Sequence, residues 1–252
     1  MDQTITIKQL LEAGVHFGHR SRRWNPKMKP FIFGKRQGIY VIDLEKSLER
    51  IRLAYQFVRE TAESGKEVLF VGTKQQAKLI IKEEAERCGA PYVNERWVGG
   101  LLTNFDQVSG SIARLSELER MKADGRFATH TKKEQSLLDK EYGKLLKIFG
   151  GVREVDRLPG AMFVVDVVRE ATPVAEARRV AMPVVALVDT NGDPELASYP
   201  IPGNDDAMRS IKLVASYIAN AVMEGKKGFE AEPPAAAVAP VSRTRAAPRS
   251  PR

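Results

Sequence analysis

The sequence predicts an α/β fold: a parallel sheet covered by helices on both faces, into which an antiparallel pair of helices is inserted. Two observations predict it. Short β-branched, apolar runs alternate with amphipathic stretches before residue 104 and again after residue 149. Such alternation marks strand–helix units, because parallel strands need a crossover. Between those positions almost nothing reads as strand. Two charged stretches carry apolar residues at helical spacing instead.

"TIKQLLEAGVHFG" reads as a short helix with Leu10 and Leu11 on its apolar face and Gly14 as its stop. A basic stretch follows, in which Pro26 and Pro30 break any helix and keep the segment irregular. "GIYVIDL" (38–44) is β-branched and reads as the first strand of the series. The next helix places Leu48, Ile51, Ala54, Tyr55 and Val58 on one face and closes at Gly65. "KEVLFVGTK" is a buried strand running into a turn, "QQAKLIIKEEAERCG" a helix and "APYVNERW" a short strand.

The stretch from 104 to 149 forms the inserted hairpin. Val108, Ile112, Leu115 and Leu118 lie on one stripe, and Leu138, Tyr142, Leu145 and Phe149 on the other. Such narrow stripes suit an antiparallel coiled coil that partly projects from the domain. The alternation then resumes with "AMFVVDV", "VAEARRVAM", "PVVALVDT" and a long last helix from "DDAMRS" to "GKKG". The resulting order is a three-layer, Rossmann- or flavodoxin-like sheet. The expected organisation is an α/β domain over 1–103 and 150–228, the hairpin over 104–149, and a disordered Pro/Ala/Arg tail over 229–252. No internal repeat is visible.

The chain has 252 residues and a formal net charge of +8. That balance favours polyanions. The one cysteine, Cys88, leaves no disulfide framework and reads as a buried structural thiol. No apolar run approaches the roughly 18 residues that cross a bilayer, and no signal peptide is apparent, so the cytoplasm is expected and a membrane partner is not.

The charge is concentrated. Between residues 18 and 38 stand seven cations, Arg20, Arg22, Arg23, Lys27, Lys29, Lys35 and Arg36, with no carboxylate among them. His19 and Asn25 add polar groups, and Trp24, Phe31 and Phe33 are interleaved. Lys and Arg neutralise phosphates, Arg grips them in a planar fork, and aromatic rings stack on unpaired bases. No acidic block of the chain stands out as their counter-charge. The plainer reading is a charged loop whose aromatics pack the core. Membrane binding fits poorly, since the aromatics do not share one face of a long basic helix.

Other candidates are weaker. In "FVGTKQQ", Gly72 permits a turn, Thr73 caps the next helix, and Lys74 is placed to meet an external phosphate. Neither phosphate-loop fingerprint is present, so no nucleotide cofactor is expected. "DTNGDPE" (189–195) resembles half a calcium loop, but Pro194 stands where glycine is required, and no metal is expected there. His16 and His19 alone make a poor metal pair. In "NERWVGGLLTNFD", Arg96, Trp97, Gly99, Gly100 and Asn104 read either as a tight turn plugged by Trp97 or as a surface of bare backbone N–H groups for a polyanion. No Ser-His-Asp or Cys-His set is supported by spacing.

Five segments in order, "EAGVHFGHRSRRWNPKMKPFIFGKRQGIYVIDL", "FVGTKQQA", "ERWVGGLLTNF", "PVVALVDTNGDP" and "IPGNDDAMRSI", resemble the bacterial small-subunit ribosomal protein two family. The resemblance runs from about residue 5 to residue 225. It implies a non-catalytic ribosomal constituent with a projecting coiled coil, bound to small-subunit ribosomal RNA. It also implies a part in recruiting the large multi-OB-domain ribosomal protein that captures messenger RNA. The motif residues it points to are the basic run from Arg20 to Arg36, Arg96, Trp97, Gly99, Gly100 and Asn104. Gly192 departs from the cysteine expected of the family, and the tail has no counterpart.

Overall fold

A computed structural model describes residues 5–231. The helices are α1 (Ile7–Glu12), α2 (Leu44–Glu63), α3 (Lys78–Cys88), α4 (Phe105–Ala123), α5 (Lys132–Phe149), α6 (Ala171–Arg179) and α7 (Met208–Ala231). The strands are β1 (Phe17–Arg20), β2 (Ile32–Arg36), β3 (Ile39–Ile42), β4 (Val68–Val71), β5 (Tyr92–Val93), β6 (Ala161–Val165), β7 (Val184–Val188) and β8 (Tyr199–Pro202). Strands β4 to β8 form a parallel sheet in the order β5-β4-β6-β7-β8. That is the flavodoxin-like order, and its switch point lies between β4 and β6.

Strands β4, β6 and β7 are buried along their whole length. They read as continuous apolar runs because both faces are covered. Successive residues feed two cores. Val68, Phe70, Phe163 and Leu187 face a core shared with α2, α3 and α7. Leu69, Val71, Val164 and Ala186 face a second core with α6, Met28 and the root of the α4–α5 hairpin. Cys88 is buried in the first, and burial pushes its thiol up to about 11, so it is inert packing as expected.

The hairpin forms where the two stripes predict it. Val108, Ile112, Leu115 and Phe149 root it in the second core. Beyond the root, α4 and α5 hold each other: Arg114 pairs with Glu141 at 2.9 Å and Lys122 with Asp139 at 2.7 Å. A capping box between Thr131 and Glu134 starts α5.

The structure differs from the expected order in three places. "GIYVIDL" is not part of the parallel sheet. It is the centre of a separate antiparallel sheet, β1-β3-β2, whose outer strands come from the basic stretch expected to be irregular. The cause is a two-residue turn, Gln37–Gly38, with φ of 50° and 82°. Positive φ at both positions is the hairpin turn that folds β2 back on β3. The second difference is β8, "YPIP", a strand with two prolines that is absent from the expected order. It pairs only with β7, and an edge strand tolerates proline. Third, α7 runs on to Ala231, past the boundary expected at residue 229. The remainder of the expected disordered tail, 232–252, lies outside the described residues.

Candidate nucleic-acid interface

The small antiparallel sheet and the two 3-10 turns inside it, Ser21–Arg23 and Pro26–Phe31, present the basic residues. Arg20, Arg22, Arg23, Lys29, Lys35 and Arg36 are all exposed, and among the described residues none is paired with a carboxylate. Phe33 sits at the irregularity in the β2–β3 register and is 80% exposed. A bulge re-aims a side chain in this way. Trp24 instead lies half-buried against Tyr40, with ring centroids 5.3 Å apart. Phe31 lies beneath the guanidinium of Arg50. Asn25 uses its side chain to cap the second turn, accepting from the Lys27 backbone N–H at 3.0 Å.

One cation of the run, Lys27, and the adjoining His19 are matched inside the chain, against expectation. Lys27 Nζ contacts Asp193 at 2.8 Å and Glu195 at 2.5 Å. The segment that resembled half a calcium loop is therefore its counter-charge. His19 is held between Asp189, 3.1 Å from Nδ1, and Asp206, 3.3 Å from Nε2. Its backbone N–H donates to Thr190 Oγ1 at 2.8 Å. The Asp189 carboxylate beside it is the main cause that raises the imidazole above its ordinary value. His19 fastens the basic segment to the sheet and is not free to face a nucleic acid.

Lys74 is the clearest correction. Only 9% exposed, its ammonium lies 2.6 Å from Asp205, 2.6 Å from Asp206 and 3.2 Å from Asp166. Burial alone would lower its affinity for the proton, but the three carboxylates hold it raised. No phosphate is needed to neutralise it. Asp205, buried beside Asp189 and Asp166, is pushed up to about 7. Ligand atoms of His19, Asp205 and Asp206 lie within 4.8 Å of one another, close enough to share a cation. The Lys74 ammonium supplies one.

The nucleotide crevice of this strand order is occupied from within as well. Thr73 donates from its backbone N–H and from its hydroxyl, both at 2.7 Å, to Glu170, which is 2% exposed. Thr73 therefore does not cap α3, which begins at Lys78. An internal carboxylate stands where a phosphate would be held at the switch point.

The turn after β5 follows the same logic. Glu176 of α6 accepts from Trp97 Nε1 at 3.0 Å, Gly100 N at 2.8 Å, Leu102 N at 3.1 Å and Thr103 N at 3.3 Å. Burial would raise this carboxyl, yet the converging donors keep it below its usual range. The N–H groups expected to be bare are thus taken, and Trp97 and Gly100 serve the fold. Arg96, Gly99 and Asn104 remain exposed. They lie beyond β5, at the opposite margin of the sheet from the β7–β8 loops that hold the basic segment.

Sequence reasoning missed Asp166, Glu170, Glu176, Asp189, Asp205 and Asp206. Their partners are distant in the chain, Lys74 standing 131 positions from Asp205 and Thr73 97 from Glu170, and only the repeated acidic loops after the strands hint at them. Among the described residues no helix is long and apolar enough to cross a membrane.

The sequence pattern of a family described as Ribosomal protein S2 matches residues 10–225. Over 224 residues the chain is 54% identical to the small ribosomal subunit protein uS2 of Coprothermobacter proteolyticus, covering 89% of this chain and 84% of that relative. With its crevice closed by its own carboxylates and its sequence matched over this length, the chain belongs to the ribosomal protein S2 family, a family of structural ribosomal proteins and not of enzymes.

Proposed function

We propose that the chain is a structural constituent of the small ribosomal subunit that binds small-subunit ribosomal RNA through its basic antiparallel sheet. The observation that carries this reading is the set of six exposed cations, Arg20, Arg22, Arg23, Lys29, Lys35 and Arg36, with no carboxylate partner among the described residues. They lie on the small antiparallel sheet and its two 3-10 turns, together with exposed Phe33. Like charges held so close repel, and a polyanion relieves that repulsion with release of counterions. Arg96, Gly99 and Asn104 offer a separate contact at the opposite margin of the sheet, while His19, Lys27, Lys74, Trp97 and Gly100 shape the fold that presents these surfaces. Trp24 and Asn25 brace the two turns.

The family likeness further supports a part in recruiting the large multi-OB-domain ribosomal protein, and a place on cytoplasmic ribosomes. The test is the double variant Arg22→Ala with Arg23→Ala. Neither side chain packs in the core, so the melting temperature is expected to stay within a degree or two. Incorporation into small subunits, followed by sedimentation, is expected to fall several-fold. Full incorporation would remove the basic sheet from the interface.

A further inference from the structure

At the N-terminal edge of β4, β6 and β7, away from the loops that hold the basic segment, lies a groove of about 580 Å³. Phe57, Leu158, Pro159, Val180, Met182 and Pro183 give it apolar walls. The ring of Phe57 is stacked on Tyr199 at 4.2 Å, and Leu158 is 45% exposed. Glu60 and Glu67 stand in the same groove, and neither has an ion-pair partner among the described residues. Of its two cations, Arg157 donates to the Gly65 carbonyl at 2.9 Å, and the stem of Lys66 lies over Gly160. Helix α2 ends here with no Lys or Arg in its last turn, so its carbonyl end adds negative potential.

The last segment of the chain starts beside this groove. Helix α7 ends at Ala231, and the Phe229 ring lies on Gly65, where an added Cβ would stand 2.8 Å from it. Ser64 and Lys66, on either side of Gly65, line the groove. Residues 232–252 lie outside the described residues, but their sequence matches what the groove offers. "PPAAAVAPV" (233–241) is uncharged and made of small apolar residues. Arg243, Arg245, Arg249 and Arg252 follow, with no carboxylate after Glu232. Proline-rich segments favour the extended polyproline conformation, which docks in aromatic-lined grooves without needing a core pattern of its own. Nine residues in that conformation span about 28 Å. A tether this short also holds the segment at an effective concentration of about a millimolar, so even a weak contact is populated.

We propose that the chain's own tail docks in this groove, the stretch 233–241 along the wall formed by Phe57 and Leu158, and Arg243 and Arg245 against Glu60 and Glu67. The proposal does not rest on the RNA-binding reading. The occupant is the tail and not RNA, because the groove is apolar, carries two unpaired carboxylates and stands at the edge of the sheet away from the basic segment. Docking there keeps the tail arginines apart from the basic antiparallel sheet.

The experiment uses the full chain without RNA, carrying a photo-crosslinking amino acid at position 238, with products mapped by mass spectrometry. Crosslinks are expected within the chain, at residues 57–67 and 157–183, with a yield unchanged by tenfold dilution. Glu60→Arg with Glu67→Arg is expected to lower that yield several-fold. Arg243→Glu with Arg245→Glu, which leaves the α/β domain untouched, is expected to lower it as much, and combining the two pairs is expected to restore it. Crosslinks scattered along the chain would overturn the proposal. So would a yield that rises with protein concentration, which would mean that the tail meets a second copy, or a wild-type yield in the tail variant.

Discussion

At the scale of single residues, what matters most is where each charge is neutralised. His19, Lys27 and Lys74 have carboxylates of their own chain, whereas Arg20, Arg22, Arg23, Lys29, Lys35 and Arg36 do not. Residue type alone does not separate the two groups, since His19 and Lys27 stand in the same basic stretch as the unmatched cations. His19 gives a test of the inward group. Its proton affinity is raised in the folded state by Asp189, with Asp205 and Asp206 adding to it and Lys74 facing the same carboxylates. A raised folded value means that its stabilisation is fully present below the ordinary value of about 6.5 and is lost as pH climbs through the folded one. The stability gap between the wild type and His19→Gln, from urea unfolding at several pH values, is therefore expected to be widest near pH 5.5 and to narrow toward pH 9. A constant gap would mean that His19 acts by shape alone.

At the scale of elements, the loop from β5 to α4 is held by one carboxylate. Glu176 satisfies three backbone N–H groups and an indole that would otherwise be orphaned against the second core. Glu176→Gln keeps the size but replaces one acceptor oxygen with a donor that faces donors. The expected loss is about 1–3 kcal/mol in denaturant unfolding. Because the carboxyl is held below its ordinary range, the wild-type advantage is present above the unfolded carboxylate value and disappears as pH falls through the folded one. An unchanged midpoint would show that the loop is positioned by packing alone. Local patterning made the elements on either side of this loop legible. Helical spacing exposes α2, α4 and α5, and unbroken apolar runs expose β4, β6 and β7, because burial leaves a period in the chain itself. The pairing of Glu176 with residues 73 to 79 positions away leaves no such period. The prolines hid β8, and the hairpin turn at Gln37 hid the antiparallel partners of β3, because edge tolerance and turn handedness are properties of the assembled sheet.

At the scale of the whole molecule, a nucleotide-type sheet has become a scaffold. Glu170 and the Lys74 cluster occupy the crevice at the switch point, so the surface that remains for a ligand is cationic and lies outside the sheet. The basic run was visible in the sequence from its uninterrupted charge. Its division into matched and unmatched cations was not, because the counter-charges come from loops after β7 and β8 that only the fold brings near. The measurement that bears most directly on this account is the salt dependence of binding between the full chain and small-subunit ribosomal RNA. Six phosphates met by the unmatched cations of the basic sheet and its turns predict a log–log slope of about −4 to −5. A slope near zero would contradict the account, because it would mean that those cations do not meet phosphate.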